Sequence, residues 1–172
     1  LLMIEQPLAW DDLVRHAQEN GIRVLGSTIV GLPEHTPEGI DEAIEHAVAH
    51  DTEFHQFMLY TPVPGTPLYE DIEQQGRLLP ETDLADIHGQ WKFNFQHEAI
   101  GRDDSKSLLD WAFRLDYERI GPSLYRLIRT MFEGWKRYRD DPDPRVRRRV
   151  WFEAKQLRTS YGAALWAMLA FA

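Results

Sequence analysis

Apolar blocks alternate with polar loops along the first half of the chain, and their spacing predicts helices and strands in turn. Helical spacing over residues 7–20 precedes a nearly continuous, β-branched apolar run over residues 22–30. Such a run predicts a strand that is covered on both faces. A second helix is predicted from Pro37 to about His50, with Thr36 as its N-cap.

The next block predicts a second buried strand over residues 54–60, followed by a loop over 61–67 and a short helix over 68–75. Helices and strands in this order predict an α/β fold with parallel strands. Ligands of such folds bind at the carboxyl ends of the strands. Here those ends are residues 31–36 and 61–66, and both loops are rich in Gly, Pro and Thr.

The pattern changes after residue 77. Residues 78–104 have weak periodicity, with one short strand predicted at 91–95, and helices are predicted over 105–119, 122–140 and 144–172. The sequence therefore predicts two parts. Residues 1–80 form the last βα units of a partial (β/α) barrel, and residues 81–172 form a mainly helical C-terminal extension.

The composition narrows the class of protein. With 172 residues, 43% of them hydrophobic, and 6 Trp, 8 Phe and 6 Tyr, the chain has enough apolar content for a packed core, which excludes intrinsic disorder. It has no Cys, which excludes disulfides, thiolate zinc sites and cysteine-ligated clusters within these residues. No apolar stretch reaches the roughly 20 residues of a membrane span, and no signal peptide opens the chain, so we expect a cytoplasmic protein.

Charge is distributed unevenly. Residues 1–100 carry 4 basic and 18 acidic side chains, whereas residues 101–172 carry 15 and 10. The acidic half argues against a nucleic-acid surface, because phosphate binding needs clustered Lys and Arg. The basic run over 145–149 lies among acidic residues, so we interpret it as helix ion pairs rather than as a binding patch.

The two ends suggest a piece of a larger protein. The chain begins with Leu1-Leu2-Met3 and stops within an apolar run over residues 161–172. We therefore expect a missing N-terminal part of the same polypeptide to be the chief partner. Exposed apolar strand edges would also allow the piece to associate with itself.

The two strand-end loops carry motifs that resemble those of radical S-adenosylmethionine enzymes. That family has a Gly-x-Ile-x-Gly-x-x-Glu motif on its fifth strand, often continuing as Ile-Val-Gly-x-Pro-x-x-Thr, and residues 29–36 read IVGLPEHT. Its sixth strand ends in Pro-x-Pro-Gly-Thr-Pro-Leu-Tyr in one subset, and residues 62–69 read PVPGTPLY. The resemblance covers residues 8–80; the first glycine of the fifth-strand motif falls on Ser27.

The resemblance implies a role for each matched position. In the family, the fifth-strand motif lines the adenine and ribose side of the S-adenosylmethionine pocket. By position, Ile29 would pack on adenine and Gly31 would permit close approach, so that Gly31→Val would weaken cofactor binding without unfolding the protein. The remaining residues implied in cofactor binding are Ser27, Glu34, Leu59, Tyr60 and Thr61, the last three through backbone groups.

The resemblance also implies a larger parent enzyme, whose reaction this chain alone cannot perform. In the family, a Cys-x-x-x-Cys-x-x-Cys loop holds a [4Fe–4S] cluster, which cleaves S-adenosylmethionine to a 5′-deoxyadenosyl radical. The parent would use it to oxidise or methylate an unreactive carbon of a small-molecule or lipid-like substrate. The subset with this sixth-strand ending often carries a cobalamin-binding domain. Without Cys, the chain itself should be catalytically silent.

Other interpretations remain open at this point. The chain could be a non-catalytic scaffold or interaction module derived from the same fold, or an unrelated hydrolytic or binding α/β domain. The spacing of Glu42, His46 and His50 could offer two imidazoles to a metal, but a solvated helix face explains it more simply, and we predict no metal site. His35, beside the presumed ligand edge, is the better functional candidate; His97 receives no role.

Overall fold

The computed structural model describes residues 9–80, 82–155, 159, 161–164 and 166. Within them the chain is mostly helical and belongs to the predicted α/β class. In chain order the elements are α1 (Trp10–Glu19), β1 (Leu25–Val30), α2 (Ile40–Ala49), β2 (Phe54–Leu59), α3 (Pro67–Gln74), a short 3-10 helix (Leu84–Asp86), α4 (Arg102–Ile120), α5 (Ser123–Tyr138) and α6 (Pro144–Ala154). In this part of the chain, no helix is both long and apolar enough to cross a membrane.

The two strands pair in the predicted parallel orientation. The amide of Phe54 donates to the carbonyl of Val24 (3.3 Å), and the amide of Tyr60 donates to the carbonyl of Val30 (2.8 Å). Both strands therefore run in the same direction, and their carboxyl ends meet at one edge of the sheet.

The prediction that β1 is covered on both faces is wrong. Burial alternates along the strand, so that Val30 is fully buried while Leu25 and Ile29 are 60% and 50% exposed. Because side chains of a strand point alternately to opposite faces, Leu25, Ser27 and Ile29 share the uncovered face. The apolar run on that face predicted burial that the described residues do not provide.

Two predicted helix bounds and one predicted strand differ from the structure. Helix α2 begins at Ile40 rather than Pro37, because residues 37–39 form a turn in which the hydroxyl of Thr36 accepts from the amide of Gly39 (3.2 Å). The predicted strand over 91–95 is absent: Phe95 makes an isolated antiparallel bridge with Leu78. Helix α6 ends at Ala154, and the predicted continuation to 172 falls partly on residues outside the described ones.

The chain divides into two compact units, the first comprising residues 1–26, 50–54 and 120–172 and the second residues 27–49 and 55–119. In the first unit, α5 packs against both α1 and α6. The packing of α5 brings Gly134 against Gly21, where a Cβ on Gly134 would lie 2.6 Å from the Cα of Gly21. Only glycine permits two backbones to approach this closely.

A buried carboxylate connects three segments of the first unit. Glu53 is 0% exposed, and its Oε2 accepts a hydrogen bond from the amide of Val24 (2.6 Å). Its Oε1 accepts from the hydroxyl of Thr130 on α5. Both carboxylate oxygens therefore have donors, which a buried carboxylate requires.

Helix α6 begins at a side-chain cap. The carboxylate of Asp143 accepts from the amide of Arg145 (2.8 Å), and the guanidinium of Arg145 hydrogen-bonds the same carboxylate, which lowers the pKa of Asp143 below its ordinary value. Further along the helix, Arg149 pairs with Glu153 at 3.0 Å. The helix ion pairs predicted for the basic run are confirmed at these two arginines.

Candidate functional site

The candidate site is the edge of the second unit where the two strands end. The hydrogen bond from the amide of Tyr60 to the carbonyl of Val30 places the loop after β1 beside the loop after β2. Two segments about 30 residues apart in the sequence thus form one edge, as the parallel arrangement predicts.

The predicted site residues differ in exposure. Ser27 and Ile29 lie on the uncovered face of β1, and Glu34 is exposed in the loop that follows. Tyr60 and Thr61 are half-buried, whereas Leu59 is buried. The uncovered face and the loop therefore present Ser27, Ile29 and Glu34 to solvent.

Glycine is favoured at position 31 by its backbone conformation and by the side chain of Phe93 packed against it. It is buried with a φ of +74°, a conformation that favours glycine, and a Cβ at this position would lie 2.7 Å from Cε1 of Phe93. The space beside the glycine is therefore filled by an aromatic ring of the protein. Gly31→Val would press its added methyls against Phe93, so the packing around this ring, as well as any cofactor binding, depends on the glycine.

The backbone of the β2 end is largely engaged within the protein. The amide of Leu59 donates to the carbonyl of Gly89 (2.6 Å), and its carbonyl accepts from the hydroxyl of Thr61 (2.9 Å). The amide of Tyr60 is used in the sheet. Carbonyl oxygens have a second lone pair, so this end has acceptors rather than the amides of Leu59 and Tyr60 to offer a ligand.

His35 closes the loop that follows β1. Its Nδ1 accepts a hydrogen bond from the amide of Gly31 at 3.1 Å. With Nδ1 as the acceptor, the neutral ring carries its proton on Nε2. His35 is half-buried, and this hydrogen bond fixes the shape of the loop; its functional role stays a prediction.

A segment far along the chain supports both loops, and we call residues 93–97 the aromatic floor. Its Phe93 fills the space at Gly31, and its buried Asn94 donates to the carbonyl of Pro62 (2.7 Å). The ring of Phe95 lies edge-on to Tyr60 with centroids 6.2 Å apart. The floor therefore contacts the loop after each strand.

His97 completes the aromatic floor. Its Nδ1 accepts from the amides of Ala99 and Ile100 (both 3.1 Å), so Nε2 carries the proton and donates to the carbonyl of Leu32 (2.9 Å). Its ring stacks on Phe93 with centroids 5.3 Å apart. No sequence pattern marks this residue, because its partner Leu32 in the β1 loop lies 65 positions away.

On the covered side of the strands, His55 contacts two polar side chains. Nε2 of His55 is 3.2 Å from the hydroxyl of Thr28, and its Nδ1 is 3.6 Å from a carboxylate oxygen of Asp116 on α4. The His55 and Asp116 side chains are only 2% and 9% exposed. We assign these contacts to the packing of α4 on the strands, because buried polar groups need partners.

Metal ligation has no support in the described ranges, where no group of three or more His, Asp or Glu side chains is close enough together to hold an ion. Nδ1 of His50 instead contacts the carboxylate of Asp11 at 2.6 Å. The absence of Cys from the sequence means that these residues cannot supply the thiolates of an iron–sulfur cluster.

The described residues form an α/β protein in which the loops after two parallel strands meet at one edge of the sheet. No family profile matches the chain, and no solved structure matches it significantly. A stretch of 59 residues, 34% of the chain, is 41% identical to an uncharacterized methyltransferase of Pyrococcus horikoshii. That stretch spans 13% of the relative's length, so the similarity concerns a small part of a longer protein.

Proposed function

We propose that this chain forms the adenine and ribose side of an S-adenosylmethionine pocket in a larger radical enzyme. The observation that carries the proposal is the meeting of the two motif-bearing loops at one sheet edge, through the hydrogen bond between Tyr60 and Val30. The partial similarity to a protein named as a methyltransferase supports the same cofactor.

The residues of the edge fit the adenosyl part of that cofactor. Ile29 offers a half-exposed apolar side chain against which a flat base could pack, and Ser27 leaves room on the same face. Glu34 is exposed in the adjoining loop, where a carboxylate suits the hydroxyls of a ribose. S-adenosylmethionine, when bound, would supply a transferable methyl group or, after one-electron reduction by the cluster of the parent enzyme, a 5′-deoxyadenosyl radical.

The iron–sulfur cluster does not fit this chain, since there is no Cys to hold it. In the proposal its three thiolates belong to a part of the longer polypeptide outside these 172 residues, as does any cobalamin domain. Residues 1–80 would belong to the barrel, and residues 81–172 would cover its substrate side or mediate contacts. The substrate would be a small or lipid-like molecule with an unreactive carbon.

The uncovered face of β1 gives the proposal a direct test in the whole polypeptide that contains this chain. Ile29→Asp should weaken S-adenosylmethionine binding, measured by calorimetry, by about tenfold or more, because it replaces apolar contact with a charge. Ile22→Asp is the matched control: Ile22 is 58% exposed and lies before the strand, so affinity should stay unchanged.

Two results would contradict the proposed S-adenosylmethionine pocket. If Ile29→Asp bound the cofactor as tightly as the unsubstituted protein, Ile29 would not face adenine. If the unsubstituted protein bound no S-adenosylmethionine at all, a non-catalytic interaction module derived from the fold would replace the enzyme as the leading interpretation.

A further inference from the structure

A groove lined by aromatic and basic side chains lies between α5 and α6 in the first unit. Its volume is about 310 Å³, at the lower end of the range of small-molecule pockets. All of its described lining residues are Trp or Arg: Trp135, Arg139, Arg147, Arg148 and Trp151. Rings that stack and guanidinium groups that bind anions together favour a ligand that is both flat and negatively charged.

The ion pairs within α6 leave two arginines of the groove over. Helix α6 contains four Arg, and the ion pairs already described engage two of them, both outside the groove. Arg147 donates instead to the backbone carbonyls of Asp141 and Pro142, and the side chain of Arg148 has no hydrogen bond or ion pair among the described residues. Within that part of the chain, neither guanidinium is bound to a carboxylate, so the groove keeps two positive charges for an anionic ligand.

Trp151 supplies the flat surface of the groove. It is 68% exposed, whereas the ring of Trp135 stacks on Phe132 with centroids 5.8 Å apart. The guanidinium of Arg139 also covers Trp135, 4.8 Å from the ring centroid, and pairs with Asp140 at 3.1 Å. Trp151 is therefore the ring on which a flat ligand can stack.

The two positive charges lie beside this ring. Arg147 and Arg148 precede Trp151 by four and three positions in α6, and helix residues with these spacings are neighbours on the helix surface. An anion bound by the two guanidinium groups would therefore be held next to a body stacked on Trp151.

The number and the surroundings of these charges indicate a small phosphate monoester rather than a polyanion. A phosphate monoester carries about two negative charges at neutral pH, which matches two guanidinium groups. A nucleic-acid strand or a lipid surface would extend beyond the groove, where the 87% exposed carboxylate of Asp140 would repel it. We propose that the groove binds a nucleoside monophosphate, with its base on Trp151 and its phosphate on Arg147 and Arg148.

The test uses guanosine 5′-monophosphate, titrated into the whole 172-residue chain and followed by two-dimensional NMR. The chain has 6 Trp, and each has one indole N–H resonance. Millimolar probe should shift the indole resonances of Trp151 and Trp135 and leave that of Trp10 unchanged, although Trp10 is 71% exposed. Guanosine, which lacks the phosphate, and ribose 5-phosphate, which lacks the base, should each bind at least about fivefold more weakly.

Two substitutions, each with a neighbouring control, locate the site. Arg148→Gln should weaken binding of the probe by about three- to tenfold, whereas Arg149→Gln removes the same charge outside the groove and should change the affinity less than about twofold. Trp151→Leu should weaken binding about fivefold, and Phe152→Leu, at a 75% exposed position outside the groove, should not weaken it. All four residues are exposed, so thermal unfolding should show that each variant stays folded.

The proposal fails if the probe leaves the Trp151 resonance unchanged, if guanosine binds as tightly as the probe, or if Arg148→Gln and Arg149→Gln weaken binding equally. Tighter binding of an oligonucleotide without a terminal phosphate, or of vesicles that contain phosphatidylglycerol, would also overturn it, because the ligand would then be a polyanion or a lipid surface. Ile29→Asp, which tests the strand-end edge, should leave the affinity for the probe unchanged, so this proposal and the proposed function can fail separately.

Discussion

At Gly31 the backbone and a neighbouring ring together leave no room for a side chain. Its φ of +74° is one that other residues adopt at a cost, and Phe93 occupies the position of a Cβ. The sequence motif correctly marked this glycine as special. The reason it suggested, close approach of a cofactor, could not be distinguished from packing, because Phe93 lies 62 positions further along the chain.

Gly31→Ala should therefore destabilise the protein more than an equally strained glycine elsewhere. Gly65 has a φ of +83° and nothing within 4 Å of a Cβ, so Gly65→Ala should cost about 1–2 kcal/mol from backbone strain alone. Gly31→Ala adds crowding against Phe93 and should cost at least about 1 kcal/mol more. Urea unfolding of the two variants measures the difference, and equal losses would show that Phe93 yields without cost.

At the scale of elements, the sequence pattern predicted α1 to α3 well and the segment that follows α3 less well. The order from α1 to α3 and the parallel pairing of β1 and β2 followed from periodicity and loop composition. The strand predicted over 91–95 did not form, although Trp91, Phe93 and Phe95 alternate as strand residues do. In the structure the rings of Phe93 and Phe95 instead pack on each other, with centroids 5.3 Å apart, beneath the strand-end loops.

The hydrogen bond between Thr130 on α5 and Glu53, just before β2, gives a prediction at this scale. Thr130→Val removes the hydroxyl that donates to the buried Glu53 and leaves a carboxylate oxygen without that donor, so it should lower the free energy of unfolding by about 2 kcal/mol. Thr130→Ser keeps the donor and should cost about 1 kcal/mol, from the lost methyl. Thermal and urea unfolding compare the two; a Ser variant as unstable as the Val variant would contradict the role of this hydrogen bond.

At the scale of the whole molecule, the sequence predicted the class of fold but not which distant segments complete the site. The motifs placed Ile29, Gly31 and Thr61 near one sheet edge, as the structure has them. The aromatic floor, with Asn94 and His97 beneath that edge, was missed. Its contacts join loops that are 32 and 65 positions away, and no local period or turn signal encodes contacts of that separation.

The uncovered face of β1 also belongs to this scale. Leu25 and Ile29 expose apolar surface on a sheet of two strands, which by itself is a marginal structure. Further strands or a bound apolar group on that face would stabilise it, and both are consistent with the proposal that a longer polypeptide closes a cofactor pocket here.

The measurement that tests the central claim most directly is the sequence of the coding DNA upstream of the Leu1 codon. The proposal predicts a continuous reading frame of a few hundred codons that contains Cys-x-x-x-Cys-x-x-Cys, since the chain itself has no Cys. A start codon immediately before Leu1, or a long upstream frame without that motif, would contradict a radical S-adenosylmethionine enzyme.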